Sequence, residues 1–182
     1  IYSPAGVVVH TGDFKVDYTP VFGDAIDLQR FAEIGKKGVL ALMCDSTNAE
    51  RPGFTQSEKT VGAVFDNIFA EHTKTRLIVA TFASNVDRVQ QIINSADKYG
   101  RNVVVEGRSM VNIIDTASTL GYLKIPDNTL IDIEQLKNYP DEKTVIITTG
   151  SQGESMAALS RMANGTHKKV TVGPSDTIIF SS

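Results

Sequence analysis

The feature that most constrains the fold is a regular alternation of short β-rich runs with amphipathic segments. Six apolar, β-branched runs occur along the chain, at residues 6–9, 38–44, 76–83, 102–107, 144–150 and 177–180. Between them, apolar side chains recur at helical spacing, within residues 61–68, 86–96, 110–117 and 156–162. The runs predict buried strands, and the spacing predicts helices. The chain is therefore expected to form an α/β fold with a mostly parallel sheet and helices on both faces.

Composition narrows the class of protein. A chain of 182 residues is long enough to bury the core of one domain. Its 18 basic and 21 acidic residues give a formal charge of -3, which excludes a polybasic nucleic-acid binder held by bulk electrostatics. No apolar run approaches the roughly 18 residues of a membrane span. The single cysteine, Cys44, lies in an apolar run, which predicts a buried thiol in a reducing, cytoplasmic compartment.

Predicted strands are followed by short polar loops that lead towards helices. The loops are HTGD, DSTNAE, TFASN, EGRS and TGSQGES. In an open parallel sheet such loops meet at the carboxyl edge of the strands, where ligands bind. Three segments also pair Ser or Thr with an acid three residues later: Thr55 and Glu58, Ser84 and Asp87, and Ser151 and Glu154. These residues are expected to cap helices or to bind a phosphate at a helix amino end, and the two roles are compatible.

Motifs of several other phosphate and hydrolase sites are absent. The TGSQGES loop contains neither G-x-G-x-x-G nor G-x-x-x-x-G-K-[ST], so it lacks the fingerprints of a Rossmann or P-loop site. A G-x-S-x-G nucleophile elbow is missing too. Taken alone, the VVVHTGDFKVD stretch offers His10 and Asp13 as two metal-ligand candidates, whereas a catalytic zinc needs at least three protein ligands.

Five motifs together resemble one known family. They are VVHTGDFKVDYTP, DSTNAERPGFTQSE, ATFASNVDRVQQ, GRSM and TTGSQGESMAALSRMANGTHKKV. In kind and order they are similar to those of the ribonuclease J family, in the beta-CASP branch of the metallo-β-lactamase superfamily. The resemblance implies that residues 1–20 are the tail of a metallo-β-lactamase half and that residues 21–175 are the beta-CASP domain. It makes residues 176–182 the start of a return to the metallo-β-lactamase half.

The resemblance also implies a two-zinc phosphodiesterase site, of which this chain holds a small part. The family's zinc ligands are an early His-x-His-x-Asp-His motif, two further histidines and the Asp of TGDFK, which here is Asp13. Asp13 is therefore the expected metal ligand and bridges the two ions. Asp45 of DSTNAE is the second expected catalytic residue, near the metal cleft. His10 is not a ligand in the family pattern and is expected to be buried or to support the site indirectly.

RNA is the partner that the resemblance implies. Ser84, Asn85 and Val86 match the segment that holds the 5′-monophosphate of RNA in the family. Arg108 and Ser151 are further candidates for lining the RNA channel. Hydroxyl, amide and helix N–H groups can bind a phosphate without a large basic surface, which suits a chain of net charge -3.

One position departs from the family pattern. The family commonly has His where this chain has Asp87, and a carboxylate there would repel a phosphate unless it caps its helix or pairs with Arg88. The implied parent is a homo-oligomeric, zinc-dependent ribonuclease in RNA maturation and decay, a 5′–3′ exonuclease with internal cleavage as a second activity. Because the histidine ligands are missing, this chain alone is expected to bind zinc weakly and to be nearly inactive.

Two other interpretations stay open. A DNA-processing or archaeal cleavage-factor relative in the same superfamily would share the fold, but it is not expected to carry TGDFK, DSTNAE and TGSQGE together. From the residues without the resemblance, the polar loops indicate a stand-alone α/β module. Such a module would bind a nucleotide or a phosphorylated small molecule at the carboxyl edge of its sheet.

Overall fold

The computed structural model describes residues 1–181 and contains two compact units. The first unit is Ile1–Lys59, and the second begins at Thr60. Helix α2, Glu58–Glu71, starts at the end of the first unit and lies almost wholly in the second. Within the described residues, no helix combines the length and the apolar character that crossing a membrane would need.

The first unit contains a small sheet and one helix. Its elements are β1 (Tyr2–Ser3), β2 (Gly6–His10), α1 (Leu28–Lys36) and β3 (Ala41–Met43). Strand β1 pairs antiparallel with β2, and β2 pairs parallel with β3. Helix α1 begins where the Asp27 carboxylate accepts a hydrogen bond of 2.9 Å from the Arg30 backbone N–H. Asp is a preferred residue at this position because its side chain satisfies one of the unpaired N–H groups of the first turn.

The first unit buries none of its described side chains. Strand β3 is shorter than the predicted run at residues 38–44, and Leu42 is 61% exposed. The prediction of a buried strand is wrong here because no described residue packs over β3. The prediction of a buried thiol is wrong for the same reason. Cys44 is exposed, and its Sγ donates a hydrogen bond of 3.3 Å to the Asp45 carbonyl oxygen.

The second unit is built on a parallel sheet. Its described strands are β4 (Leu77–Thr81), β5 (Asn102–Glu106), β6 (Thr144–Thr148) and β7 (Thr177–Ser181). They lie in the order β5-β6-β4-β7, and every pairing is parallel. Besides α2, the helices are α3 (Val86–Lys98), α4 (Arg108–Thr119), α5 (Ala158–Ala163) and the 3₁₀ segments Ile133–Asn138 and Asp141–Lys143. The predicted α/β fold is confirmed.

Both faces of this sheet are covered. In β4, Leu77 and Val79 pack into one core, and Ile78 and Ala80 pack into the other, as the two-residue period of a strand requires. Helices α2, α3 and α4 complete the first core, and α5 with the first 3₁₀ segment completes the second. Each fully buried aliphatic side chain contributes about 1.5–3 kcal/mol. The loops at the strand ends are therefore attached to a sheet that is packed on both faces.

Strand β7 lies at the edge of the sheet beside β4. Just before the two strands, the Arg76 guanidinium donates hydrogen bonds of 2.9 and 2.6 Å to the two carboxylate oxygens of Asp176. The Asp176 side chain is almost completely buried. The structure therefore ties the start of β7 to the sheet of the second unit. The boundary that assigns residues 176–182 to a metallo-β-lactamase half stays a prediction.

Candidate functional site

Three parallel strands of the second unit, β4, β5 and β6, end at one edge of the sheet. Thr148, the last residue of β6, lies opposite Ala80 of β4 and Glu106 of β5. The TFASN, EGRS and TGSQGES loops follow these strands. Because the strands run in the same direction, the loops meet at their carboxyl ends, as expected for a ligand site in an open sheet.

A cavity of about 750 Å³ opens at this edge. It is formed by residues at or after the ends of the three strands, by the first five residues of α4 and by α5 with the segment before it. The lining residues are Thr81, Phe82, Ala83, Gly107, Arg108, Ser109, Asn112, Thr149, Gly150, Glu154, Met156, Ala157, Ala158 and Arg161. A cavity of this volume lies within the usual range of small-molecule sites, so it has room for a nucleotide.

Two glycines allow the cavity loops to pack closely. Gly107 and Gly150 have φ angles of 105° and 112°, which L side chains rarely adopt. A Cβ atom at Gly150 would lie 2.9 Å from the Ala157 Cβ, and one at Gly107 would lie 3.0 Å from the Thr149 Oγ1. Both glycines are therefore required by backbone conformation and by space.

Arg108 places a positive charge at the cavity. It is the first residue of α4, and its side chain is exposed. The preceding N-cap residue, Gly107, has no side chain to cap the helix, and the first turn of α4 carries no acid. The N–H groups of a first helical turn carry a partial positive charge. This end of α4 is therefore suited to an anion.

The segment predicted to bind the RNA 5′-phosphate follows β4 but is not part of the cavity lining. Ser84 is exposed, and Val86 is the first residue of α3. Asn85 is the N-cap, because its Oδ1 accepts a hydrogen bond of 3.0 Å from the Arg88 backbone N–H. The prediction that Ser84 caps this helix is therefore wrong. The Ser84 hydroxyl and the Asn85 side-chain amide group can donate to a ligand.

Ser151 lies in the turn after β6, outside the cavity lining. Its buried hydroxyl has no hydrogen-bond partner among residues 1–181. The prediction that Ser151 and Glu154 cap a helix is wrong, since α5 begins only at Ala158. Glu154 instead accepts a hydrogen bond of 3.2 Å from the Gln152 backbone N–H.

Helix α2 also begins differently from the prediction. Its N-terminal hydrogen bond of 3.2 Å runs from the Lys59 backbone N–H to the Ser57 Oγ, so Thr55 is not the cap. The Glu58 backbone N–H donates to Asp17 at 2.9 Å, and the Glu58 carboxylate lies 3.1 Å from the Lys15 ammonium group. These contacts join the segment after β2 to the start of α2 within the first unit.

Asp45 is held in a tight turn of the first unit. Its Oδ1 accepts hydrogen bonds from the Thr47 backbone N–H at 3.0 Å and from the Thr47 hydroxyl at 2.8 Å. These two bonds lower the pKa of the Asp45 carboxyl below its usual value. The Asp45 backbone N–H donates to the Thr11 Oγ1 at 3.1 Å. Asp45 is therefore a fixed, ionised acceptor at neutral pH.

Asp13 is exposed in the bend after β2. Among residues 1–181, no three His, Cys, Asp or Glu side chains come together to hold a metal ion. Because zinc sites use at least three protein ligands, the residues of this chain do not by themselves fit a zinc pair. His10 is exposed rather than buried, and its Nδ1 accepts a hydrogen bond of 3.0 Å from the Gly12 backbone N–H.

Sequence reasoning did not name five polar residues of the cavity lining: Thr81, Ser109, Asn112, Thr149 and Arg161. Thr81 is 1% exposed, and its Oγ1 has no hydrogen-bond partner in the described part of the chain. The Nε of Arg161 is buried without a partner there as well. The available signals were a Thr at the end of a buried strand and an Arg between the apolar Leu159 and Met162. Neither signal points to one cavity, because the residues come from distant parts of the sequence.

These observations define a class: an α/β domain whose parallel sheet presents a polar carboxyl edge suited to an anion. The family model for the beta-CASP domain of ribonuclease J matches residues 74–182. The chain belongs to this family, as the five motifs predict.

Relatives support the assignment over the whole chain. The chain is 53% identical to ribonuclease J 1 of Streptococcus pyogenes, 50% identical to ribonuclease J of Synechocystis sp. and 45% identical to ribonuclease J of Helicobacter pylori. Each comparison extends over 182 residues and 100% of this chain. The chain spans only 32%, 28% and 26% of the lengths of these three relatives, in the same order.

Proposed function

We propose that this chain is the RNA-binding beta-CASP portion of a zinc-dependent ribonuclease of RNA maturation and decay. The observation that carries the proposal is the polar carboxyl edge of the second unit, in a chain of the ribonuclease J family. We assign residues 21–175 to the beta-CASP domain, and residues 1–20 and 176–182 to flanking pieces of a metallo-β-lactamase half. The parent enzyme acts 5′ to 3′ and also cuts internally, as a cytoplasmic homo-oligomer.

We place the RNA 5′-monophosphate at Ser84, Asn85 and Val86. The Ser84 hydroxyl is exposed, and the Asn85 amide group lies at the amino end of the long helix α3. Both can donate hydrogen bonds to a terminal phosphate, whose charge is favoured at a helix amino end. Asp87, in the first turn of the same helix, opposes this charge and limits the affinity. Arg108 and Ser151 line the path of the RNA beyond its first nucleotide.

We assign most of the zinc ligands to residues outside this chain. Asp13 is the one ligand that this chain contributes. Two bound zinc ions would supply a hydroxide nucleophile and neutralise the attacked phosphate. Asp45 is proposed to act beside them as a hydrogen-bond acceptor, since Thr47 fixes its ionised carboxylate.

The chain alone is therefore expected to lack zinc-dependent nuclease activity. With zinc and a labelled RNA, wild type and Asp13→Asn should give the same background cleavage. Cleavage by the wild type at a rate typical of enzymes, lost in Asp13→Asn, would contradict the assignment of the missing ligands.

One observation favours a second candidate, a stand-alone module that binds a nucleotide or another phosphorylated small molecule. The cavity of the second unit is formed entirely by residues of that unit, so it needs no further domain to exist. The coding sequence upstream of Ile1 separates the candidates. A His-x-His-x-Asp-His motif there supports the nuclease, and a nearby start codon supports the module.

The binding proposal is tested with short oligoribonucleotides that differ only in a 5′-phosphate or a 5′-hydroxyl. Fluorescence anisotropy of the 182-residue chain should give tighter binding of the phosphorylated RNA. Ser84→Ala should remove most of this difference, because it removes one donor to the phosphate. Ser175→Ala is the matched control: Ser175 is exposed and lies before β7, at the opposite edge of the sheet. Equal effects of the two substitutions would contradict the placement of the phosphate.

A further inference from the structure

We propose that Arg88 is a positioning residue for the segment assigned to the RNA 5′-phosphate, residues 84–86. Its buried guanidinium group ties the end of strand β7 to the first turn of helix α3, and the segment lies at the amino end of that helix. This inference rests on the proposed function, because it takes a terminal phosphate of RNA as the ligand of the segment. Arg88 acts through its neighbours and is not assigned a contact with RNA.

The burial of Arg88 is the first argument. Arginine is rarely buried unless its charge is paired or hydrogen-bonded, yet Arg88 is only 7% exposed. Its Nη1 donates a buried hydrogen bond of 2.7 Å to the Ser181 hydroxyl. Hydrogen bonds from a charged donor are among the stronger ones in proteins. The side chain is therefore held in one place instead of extending into solvent.

The second argument is that Arg88 connects the phosphate segment to the sheet. The Arg88 backbone N–H donates a hydrogen bond of 3.0 Å to the Asn85 Oδ1, so the Asn85 amide nitrogen is the atom left to donate to a ligand. The Arg88 side chain anchors the same turn to Ser181. Residue 88 thus joins the proposed phosphate donor on one side to strand β7 on the other.

Strand β7 needs such an anchor at its carboxyl end. In the described part of the chain, it pairs with β4 alone, and its Phe180 side chain is exposed. Arg76 and Asp176 hold the strand at its start. At its end, Ser181 lies opposite Thr81, the last residue of β4. Arg88 therefore fixes the end of β7 beside the point where the loop to α3 begins.

The charge of Arg88 is the third argument. The N–H groups of a first helical turn carry a partial positive charge, so a cation is disfavoured there and an anion is favoured. Asp87 lies in the same turn and opposes a phosphate. The positive charge of Arg88 offsets that of the Asp87 carboxylate. The turn is therefore left with the partial positive charge of the helix, which suits a terminal phosphate.

The test measures the binding of 5′-monophosphate and 5′-hydroxyl forms of one short RNA to the 182-residue chain by fluorescence anisotropy. We expect the wild type to prefer the phosphorylated form about fivefold. Arg88→Met should reduce this preference to about twofold or less and leave the affinity for the 5′-hydroxyl form unchanged. An unchanged preference in Arg88→Met overturns the inference.

Ser181→Ala tests the assigned contact from its other side. It removes only the hydroxyl that accepts the hydrogen bond, so it should lower the preference in the same direction. Because both substitutions remove one interaction, the double variant should be no worse than Arg88→Met alone. Additive losses would mean that the two residues act independently and would overturn the inference. If Arg88→Met fails to unfold cooperatively in urea, Ser181→Ala alone decides, and an unchanged preference in that variant overturns the inference.

The matched control is Lys98→Met. Lys98 lies at the other end of α3, where its ammonium group donates a hydrogen bond to the Asp66 carboxylate of α2. The substitution removes one positive charge and one contact between elements, as Arg88→Met does. It should keep the preference for the phosphorylated RNA. Equal losses in the two variants would mean that only net charge or general loosening matters, and would overturn the inference.

The failure of this inference can be told apart from the failure of the proposed function. A wild-type preference of about fivefold that survives both Arg88→Met and Ser181→Ala would leave the phosphate site standing and overturn the role of Arg88. Equal binding of the two RNA forms by the wild type would contradict the phosphate site itself, and the inference would fall with it.

Discussion

The two units of the chain use similar elements but differ in what covers them. The second unit buries both faces of its sheet, whereas the first buries none of its described side chains. Strand pairing and local hydrogen bonds define the geometry of both. Because apolar burial supplies most of the stability of a fold, the second unit is expected to support itself and the first is not. The proposed phosphate-binding residues lie in the second unit, and Asp13 and Asp45 lie in the first.

The largest expected effect comes from removing a strand side chain in each unit. Ile147 of β6 is fully buried, and Leu42 of β3 is 61% exposed. Ile147→Ala should lower the free energy of unfolding by about 2–5 kcal/mol, because it loses buried surface and leaves a cavity. Leu42→Ala should change it by no more than about 0.5 kcal/mol. Urea titrations followed by circular dichroism measure both values. A loss for Leu42→Ala as large as that for Ile147→Ala would show that β3 is covered.

A smaller effect is expected from a glycine of each unit. Gly53 and Gly150 have similar φ angles, 105° and 112°. A Cβ atom at Gly53 meets nothing within 4 Å, whereas one at Gly150 lies 2.9 Å from the Ala157 Cβ. Gly53→Ala should therefore cost only backbone strain, about 1–2 kcal/mol at most.

Gly150→Ala adds a steric clash to the same strain, and the expected total loss is about 2–4 kcal/mol. It should also displace the loop at the cavity, which amide shifts of residues 149–158 would reveal. Equal losses of unfolding free energy for Gly53→Ala and Gly150→Ala would mean that the close packing around Gly150 does not contribute to stability.

The sequence predicts the second unit well because its strands and helices are specified locally. All five residues of β4 are buried, as its apolar run predicts. The apolar residues at helical spacing within 86–96 and 110–117 lie in α3 and α4. The first unit shows the limit of the same reasoning. The β3 run has the composition of a buried strand, but burial depends on what packs over it, which the run itself does not encode.

The candidate site was predictable only in part. Polar loops after parallel strands indicate the correct edge of the sheet. The identity of the cap was not predictable, since Ser84 and Asn85 are both good N-caps and the start of α3 decides between them. Thr81 and Arg161 meet at one cavity although 80 positions separate them in the sequence, so only the folded sheet brings them together.

The most direct test of the proposed function is the ratio of two dissociation constants, those of 5′-hydroxyl and 5′-monophosphate forms of one short RNA. Binding of the terminal phosphate at the amino end of α3 predicts that the wild-type chain binds the phosphorylated RNA about fivefold tighter, the gain from one or two additional hydrogen bonds. A ratio of one would contradict a 5′-phosphate site in this chain.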